Sequence, residues 1–341
     1  MKLLLVLMCF VGKLVVSENW KPLNPEETFF MFVRCVENNI GKSTHKLQHM
    51  QAWSKWENFG PEEEASYCFF KCCMEGYGLY DPSTGNVKAA RIQTQYDSYK
   101  TYPNYDVGST KIAEIVSAFA KVTESVDNNC TAVYARFEPI YKHFNDSFQI
   151  IYHGHHDYVR PVYQAMSQTM KSPLHSQFQF CWNILSDDAR TVLCANKEKR
   201  KTTNVSNDSS FSPYINCVFK GLRYLNADSS VNAQEIMRDF YLVNKTSNSI
   251  ISDLQSWVPE INGQGAEYRA ASLFDKLTGA AGASEDLNEA WDYREIRSKN
   301  YTYALRNGGV YNRADVKALV TQIDEALCPS STIEDTGVIV A

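Results

Sequence analysis

Nine cysteines stand outside the N-terminal apolar run of this chain: Cys35, Cys68, Cys72, Cys73, Cys130, Cys181, Cys194, Cys217 and Cys328. They constrain the fold more than any other feature, because each cross-link dictates which segments must lie side by side. Whether they cross-link depends on the compartment. Lys2 precedes the run "LLLVLMCFVG", and small residues follow at "VVS", the pattern of a secretory signal over residues 1–17 that would carry Cys9 away. The run is too short to span a bilayer, and no later stretch approaches ~20 continuous apolar residues. In an oxidising compartment the cysteines are expected to form disulfides. Their spacing is too spread for a zinc ribbon or a thioredoxin-type motif. An odd count leaves one thiol over, with the adjacent Cys72–Cys73 pair the place to look.

Between the cysteines the punctuation is helical. Asn24-Pro25-Glu26-Glu27 supplies a cap, a proline at the first helical position and an acid at the third, and Gly41 ends that run. Phe29, Phe30, Phe32, Val33 and Val36 then give a helical apolar face. Further helices are predicted near 45–57, 62–75, 87–98, 110–124, 128–144 and 156–170. A second series is predicted to begin at Ser172-Pro173 and continue near 187–198, 211–224, 231–243, 247–256, 285–303 and 313–327. The small-residue stretch 263–287 reads as a flexible excursion. The fold class is all-α.

The two series resemble each other. "CCMEGYGLYDPSTGNVKAARI" (72–92) lies on "CVFKGLRYLNADSSVNAQEI" (217–236) with one gap, matching Cys72 with Cys217, Gly76 with Gly221 and Ile92 with Ile236. A duplicated domain is expected, with domains at 18–150 and 172–341 and a linker or helix at 151–171. The 341 residues fit two domains of ordinary size. A net charge of −5 argues against nucleic acid or an anionic membrane as partner. Six N-x-[S/T] sequons, at Asn129, Asn145, Asn204, Asn207, Asn244 and Asn300, make a glycoprotein feasible.

Chemistry concentrates in "WDYREIRSKNY" (291–301). On a helix, Asp292 and Glu295 share a face, and the four-on partner of Asp292 is Ile296 rather than a base. One reading is a solvated face with Glu295 paired to Lys299. The other is a pair of carboxylates that repel until a cation joins them, with aromatic neighbours adding cation–π attraction. Trp53 and Trp56 in "QAWSKWENF", with Phe69, are either plain core or the wall of an apolar tunnel. "HGHHD" (153–157) lacks metal-ligand spacing and reads as a solvated linker. No nucleophile elbow, phosphate-cradling loop or positioned Ser/His/Asp set appears, so neither an enzyme, a metal nor a cofactor is expected.

The four-residue gap between Cys68 and Cys72, the two modules, "GLYDP" (78–82) and "WDYRE" (291–295) together resemble the long-form D-seven salivary proteins of blood-feeding mosquitoes. These are duplicated members of the insect odorant-binding protein superfamily. The resemblance covers the mature chain. It implies disulfides Cys35–Cys72, Cys68–Cys130, Cys181–Cys217 and Cys194–Cys328, each closing a long loop worth roughly 3–5 kcal/mol in the entropic model. Cys73 is then the unpaired residue beside a lipid pocket of the first module, where Trp53, Trp56 and Phe69 would meet an eicosanoid. His153, His155, Tyr152 and Lys142 would form a polar mouth. Asp292 and Glu295 match the acids that hold a biogenic amine. Ser298, Asn300, Tyr301, Thr302 and Arg306, with Arg160, Tyr163 and Lys171, resemble the set that holds an adenine nucleotide between the modules. The further cysteine pair common in long forms is absent from "ISDLQSW" and "AASLFDKL", so a looser second-module wall is expected. The function implied is a monomeric, secreted scavenger in saliva that binds host mediators of haemostasis and inflammation. A carrier delivering an odorant or lipid to a receptor is the alternative.

Overall fold

The computed structural model describes residues 20–56, 58–154, 156–195, 211–246, 248–279, 283–299 and 310–328. The signal segment and the sequons at Asn204, Asn207 and Asn300 lie outside them. The described residues divide into two compact units. One runs to Leu174 and includes Lys299 and Val310; the other comprises His175–Ser298 and the residues from Tyr311 onward.

The first unit contains α1 (Pro25–Asn39), α2 (Lys46–Lys55), α3 (Glu64–Gly76), α4 (Ala90–Tyr99), α5 (Ser109–Ala120), α6 (Cys130–His143), α7 (Asn145–Ile151) and α8 (His156–Ala165). Helix α1 starts where the sequence says it should. Asn24 and Glu27 form a reciprocal capping box, and Pro25 takes the first turn. Helix α3 is the hub, packing against both α1 and α6. Its cysteines at i and i+4 reach opposite neighbours: Cys72 bonds Cys35 on α1, and Cys68 bonds Cys130 at the start of α6. The same helix turns Phe69, Phe70, Cys73 and Met74 into the core.

The second unit contains α9 (Gln177–Trp182), α10 (Asp187–Ala195), α11 (Ser212–Gly221), α12 (Ala233–Leu242), α13 (Asn248–Asn262), α14 (Arg269–Gly279), α15 (Ala283–Ser298) and α16 (Arg313–Leu327). Cys181 on α9 bonds Cys217 on α11, and Cys194 on α10 bonds Cys328 just past α16. All four pairs are those the resemblance implies. The centre is taken by Trp291, 1% exposed, with the rings of Phe178, Phe219 and Phe274 about it at 5.9–6.1 Å.

Both units place a short antiparallel turn after the helix that carries Cys72 or Cys217. In the first it is a hairpin of β1 (Tyr80–Asp81) and β2 (Asn86–Val87). In the second it is a single bridge between Leu225 and Val231. Asp81 accepts from the Ser83 amide and Asp228 from the Ser230 amide, the same local turn device. Each turn leads into a helix whose first isoleucine, Ile92 or Ile236, is fully buried. These are the residues that the sequence repeat superimposes.

Three sequence expectations need correction. The second helix series begins not at Ser172-Pro173 but at Gln177, capped by Ser176 and closed by Gln179. Phe144 ends α6 and opens α7, a helix the sequence did not announce. The stretch expected to be a flexible excursion contains α14, which buries Ala270, Leu273, Phe274 and Leu277. The wall lacking the extra cysteine pair is joined polarly instead. Arg269 donates to the Gln264 and Asn262 carbonyls, Ser272 to the Gln264 side chain, and Lys276 meets Glu260 at 2.8 Å. No helix among the described residues is long and apolar enough to cross a membrane.

Candidate functional site

An apolar cavity opens inside the first unit, with about 30 Å3 open to the centre of a water-sized sphere. Trp53, Trp56, Phe69 and Cys73, the four side chains assigned to lipid by the resemblance, all line it. Its lining ranges from exposed to buried. Asn58 is exposed and Trp56 and Phe59 half-buried, whereas Cys73, Met74, Tyr77, Leu79 and Phe148 are buried.

Local structure fixes the walls. Trp53 stacks on Phe69 with centroids 4.0 Å apart, and its indole N–H donates to the Phe59 carbonyl at 2.9 Å. Trp56 closes α2 in the left-handed region, φ 59°, where a bulky residue is uncommon. Three contacts hold it there. Gln149 donates to its carbonyl at 3.0 Å, Phe32 stacks on its ring at 4.3 Å, and Gly154 lies beneath the indole. A Cβ at Gly154 would sit 2.5 Å from the ring, so only glycine permits that approach. Each aromatic pair adds about 0.5–1.5 kcal/mol beyond area burial, giving preformed walls.

Cys73 is the free thiol among the described residues, as the resemblance implied. Burial pushes its thiol well above the usual range, opposed by the nearby Tyr77 hydroxyl, so it stays protonated and unreactive. The polar mouth is not where the sequence placed it. His153 is completely buried, with Nε2–H donating to the Leu23 carbonyl at 2.9 Å and Nδ1 facing the Tyr105 hydroxyl. Burial lowers its pKa to about 3, so it is a neutral core group. Tyr152 is buried too, stacked on Tyr77, while Lys142 is exposed and pairs with Glu138. The side chains of His155, His156 and Asp157 lie outside the described residues.

One constellation escaped the sequence reading because its parts are far apart. Ser66 and Ser43 flank His49, each hydroxyl 2.6 Å from a ring nitrogen, and Glu63 lies 3.3 Å from Nδ1. A Ser/His/Glu set invites a hydrolase reading. Ser66 and His49 are fully buried, however, and Ser66 gives its proton to the Pro61 carbonyl. No substrate carbonyl could reach that hydroxyl; it ties α2 to α3.

In the second unit Glu295 is fully buried and accepts from the Ser176 hydroxyl at 2.8 Å, while Asp292 is half-buried. Arg294 meets Glu235 at 2.9 Å and Asp239 at 3.5 Å, and Arg297 meets Asp239 at 2.9 Å. Tyr224 donates to Asp239, and Arg294 to the Leu222 carbonyl, within the same buried cluster. Among the described residues no group of three or more potential metal ligands occurs.

The PBP/GOBP family pattern matches residues 18–143. Over 330 residues the chain is 30% identical to a long form salivary D7 (D-seven) protein, D7L1, of Aedes aegypti, covering 95% of this chain and 98% of that one. The chain belongs to the long-form salivary D7 family. Among solved D7 structures, the AeD7–leukotriene E4 complex matches with a TM-score of 0.73 at 28% identity, over 86% of this chain and 96% of that one. A Culex quinquefasciatus D7 long form in complex with ADP matches with a TM-score of 0.76 at 23% identity, over 91% and 99%, a likeness of fold.

The nucleotide set fares differently from the lipid set in this D7 chain. Asn300, Tyr301, Thr302 and Arg306 lie outside the described residues. Ser298, half-buried at the end of α15, donates to the Glu295 carbonyl. Arg160 is exposed on α8. Tyr163 and Lys171 are instead bound to one acid: the hydroxyl donates to Glu26 at 2.8 Å, and the ammonium meets its other oxygen at 2.9 Å. Burial lowers the Lys171 pKa against the pull of that partner.

Proposed function

We propose that the chain is a secreted salivary binding protein whose first unit sequesters a host eicosanoid, inhibiting platelet aggregation and vasoconstriction at the bite. The carrying observation is the aromatic lining of the cavity, in which Trp53, Trp56, Phe69 and Cys73 meet as the family resemblance implies. Scavenging needs stoichiometric, tight binding: a Kd under ~1 μM corresponds to more than about 8 kcal/mol. At ~0.8 kcal/mol per buried methylene, a polyunsaturated chain of eicosanoid length approaches that from the apolar effect alone. The leukotriene bound by the related D7 structure is of this class. Carriage to a receptor requires the same cavity but not micromolar stoichiometry.

Calorimetry with a cysteinyl leukotriene on the wild type and Trp56→Ala tests the reading. Sub-micromolar binding is expected in the wild type, weakened at least tenfold in the variant. No heat above dilution in the wild type refutes it. Parallel titrations with ADP and serotonin ask whether this chain also takes a nucleotide or an amine.

A further inference from the structure

Three of the sequons, at Asn129, Asn145 and Asn244, fall among the described residues, and their surroundings differ. Asn145 is half-buried in the first turn of α7 with its amide oxygen shut off from water, and Ser147, the hydroxyl residue of its sequon, is buried. Asn129 is exposed, but its side-chain oxygen caps α6, accepting from the Ala132 N–H at 2.8 Å. Cys130, the middle residue of that sequon, is bonded to Cys68. In Asn244-Lys245-Thr246 both the asparagine and the threonine are exposed, and the Asn244 side chain makes no hydrogen bond among the described residues. A glycan acceptor has to lie on such a surface turn, with its amide nitrogen open to solvent.

The turn that presents Asn244 has a defined geometry. Asn244 takes a left-handed φ of 58° at the end of α12, and its N–H donates to the Tyr241 carbonyl at 3.0 Å. The Lys245 N–H donates to the Phe240 carbonyl at 3.0 Å. This pair of bonds closes a helix end whose left-handed position usually falls to glycine and sometimes to asparagine. Both neighbours of Asn244 are pinned: Val243 is buried, and the Lys245 ammonium meets Asp286 on α15 at 2.9 Å. The bonded turn brings the α-carbons of residues 241 and 244 within roughly 7 Å. Tyr241 is 58% exposed, so an aromatic face stands in solvent one turn before the acceptor asparagine. That face is the negative side of the ring quadrupole and attracts the polarised C–H bonds that one side of a pyranose presents.

We infer that Asn244 is a glycosylation site, and that the first N-acetylglucosamine of its glycan rests on the ring of Tyr241. This rests on the reading of the chain as secreted, because the sugar donor, an oligosaccharide on a lipid pyrophosphate, is met only on that route. In the transfer the bond from the anomeric carbon to the phosphate oxygen breaks and a bond from that carbon to Asn244 Nδ2 forms. One amide proton is released and the lipid pyrophosphate leaves. Thr246 supplies the hydroxyl that the transferring enzyme reads. Once attached, the sugar covers ring surface that is otherwise wet and stiffens the turn that carries Lys245 to α15.

The test expresses the full chain with its own signal in insect cells and maps the secreted protein by mass spectrometry after peptide N-glycosidase treatment in oxygen-18 water. That treatment turns a glycosylated asparagine into labelled aspartate. Asn244 should be labelled in most molecules, and Thr246→Ala should abolish the label while leaving the left-handed asparagine in place. Melting temperatures then read the ring contact. Thr246→Ala should melt about 2–4 °C below the wild type, and on a Tyr241→Ala background the same change should shift melting by less than about 1 °C. Secreted protein unlabelled at Asn244 overturns the inference and leaves the secretion reading standing. Label at Asn244 with equal melting shifts on the two backgrounds overturns the contact with Tyr241. A chain that stays in the cytosol with its signal uncut and Asn244 unlabelled overturns the inference and the secretion reading together.

Discussion

His153 couples the first unit to pH. Its Nδ1 faces the Tyr105 hydroxyl and its Nε2–H is given to the Leu23 carbonyl, so a second proton would put a positive charge in a fully buried site. The folded pKa falls to about 3 from an ordinary 6.5. Above 6.5 both folded and unfolded chains hold it neutral, and stability gains nothing from it. Between 6.5 and 3 the unfolded chain takes up a proton that the folded chain refuses, so stability falls as pH falls, by up to about 1.4 kcal/mol per unit. Melting temperatures measured across that window should drop toward acid, and His153→Gln should remove close to one proton's worth of the slope. An unchanged slope would show that other groups set it. Gly154, the next residue, makes a second prediction. Gly154→Ala places a methyl against Trp56, so the indole must shift from its stack on Phe32, and leukotriene affinity should fall severalfold with overall helicity by circular dichroism unchanged. Type alone made Trp53, Trp56 and Phe69 legible in the sequence as wall candidates. The same reasoning misplaced His153, because a polar residue in a polar-looking string was read as solvated. Its burial is decided by partners 48 and 130 residues away.

Helix α15 shows the same limit for an element. Read along its own axis, the absence of a base four residues after Asp292 looked like charge awaiting a cation. Across the packing interface α12 contributes Glu235 and Asp239, and the arginines of α15 answer them. A one-dimensional register sees i,i+4 neighbours; it does not see a facing helix. Asp239 is fully buried and shared by Arg294, Arg297 and Tyr224. Asp239→Ala removes an acid that two desolvated guanidinium groups share, and should cost the second unit about 3–5 kcal/mol in denaturant unfolding. A loss below 1 kcal/mol would mean that water or a rearranged acid replaces it. Helix α14 was missed for the opposite reason. Gly263, Gly265 and Gly279 around it signal a loop, and its apolar face at Ala270, Leu273, Phe274 and Leu277 becomes favourable against α11 and α15.

For the whole molecule, the duplicated pattern was legible because cross-links and turns are written locally, whereas what fills each unit is not. Cys72 and Cys217, and Ile92 and Ile236, keep the same structural roles in both halves. The interiors differ: in the first unit aromatic rings surround a cavity, and in the second the centre is taken by Trp291 and a cluster of charged pairs. A cavity weakens a core in proportion to its empty volume, and cross-links offset that by restricting the unfolded chain. Both bridges of the first unit converge on α3, the helix that also supplies Phe69, Phe70, Cys73 and Met74 to the cavity wall. Every residue lining the cavity lies before Leu174. A fragment spanning residues 18–174 should therefore fold with its two disulfides and bind the leukotriene within about threefold of the full chain. Reducing it should cost more than its thermal stability. Without Cys35–Cys72 and Cys68–Cys130, α3 loses its tethers to α1 and α6, and the stacked wall of Trp53 and Phe69 has no fixed base. Ligand affinity should then fall before helical content does, a sequence that parallel calorimetry and circular dichroism under graded reductant would resolve. Retention of full affinity after both bridges are reduced would show that aromatic packing alone keeps the cavity open.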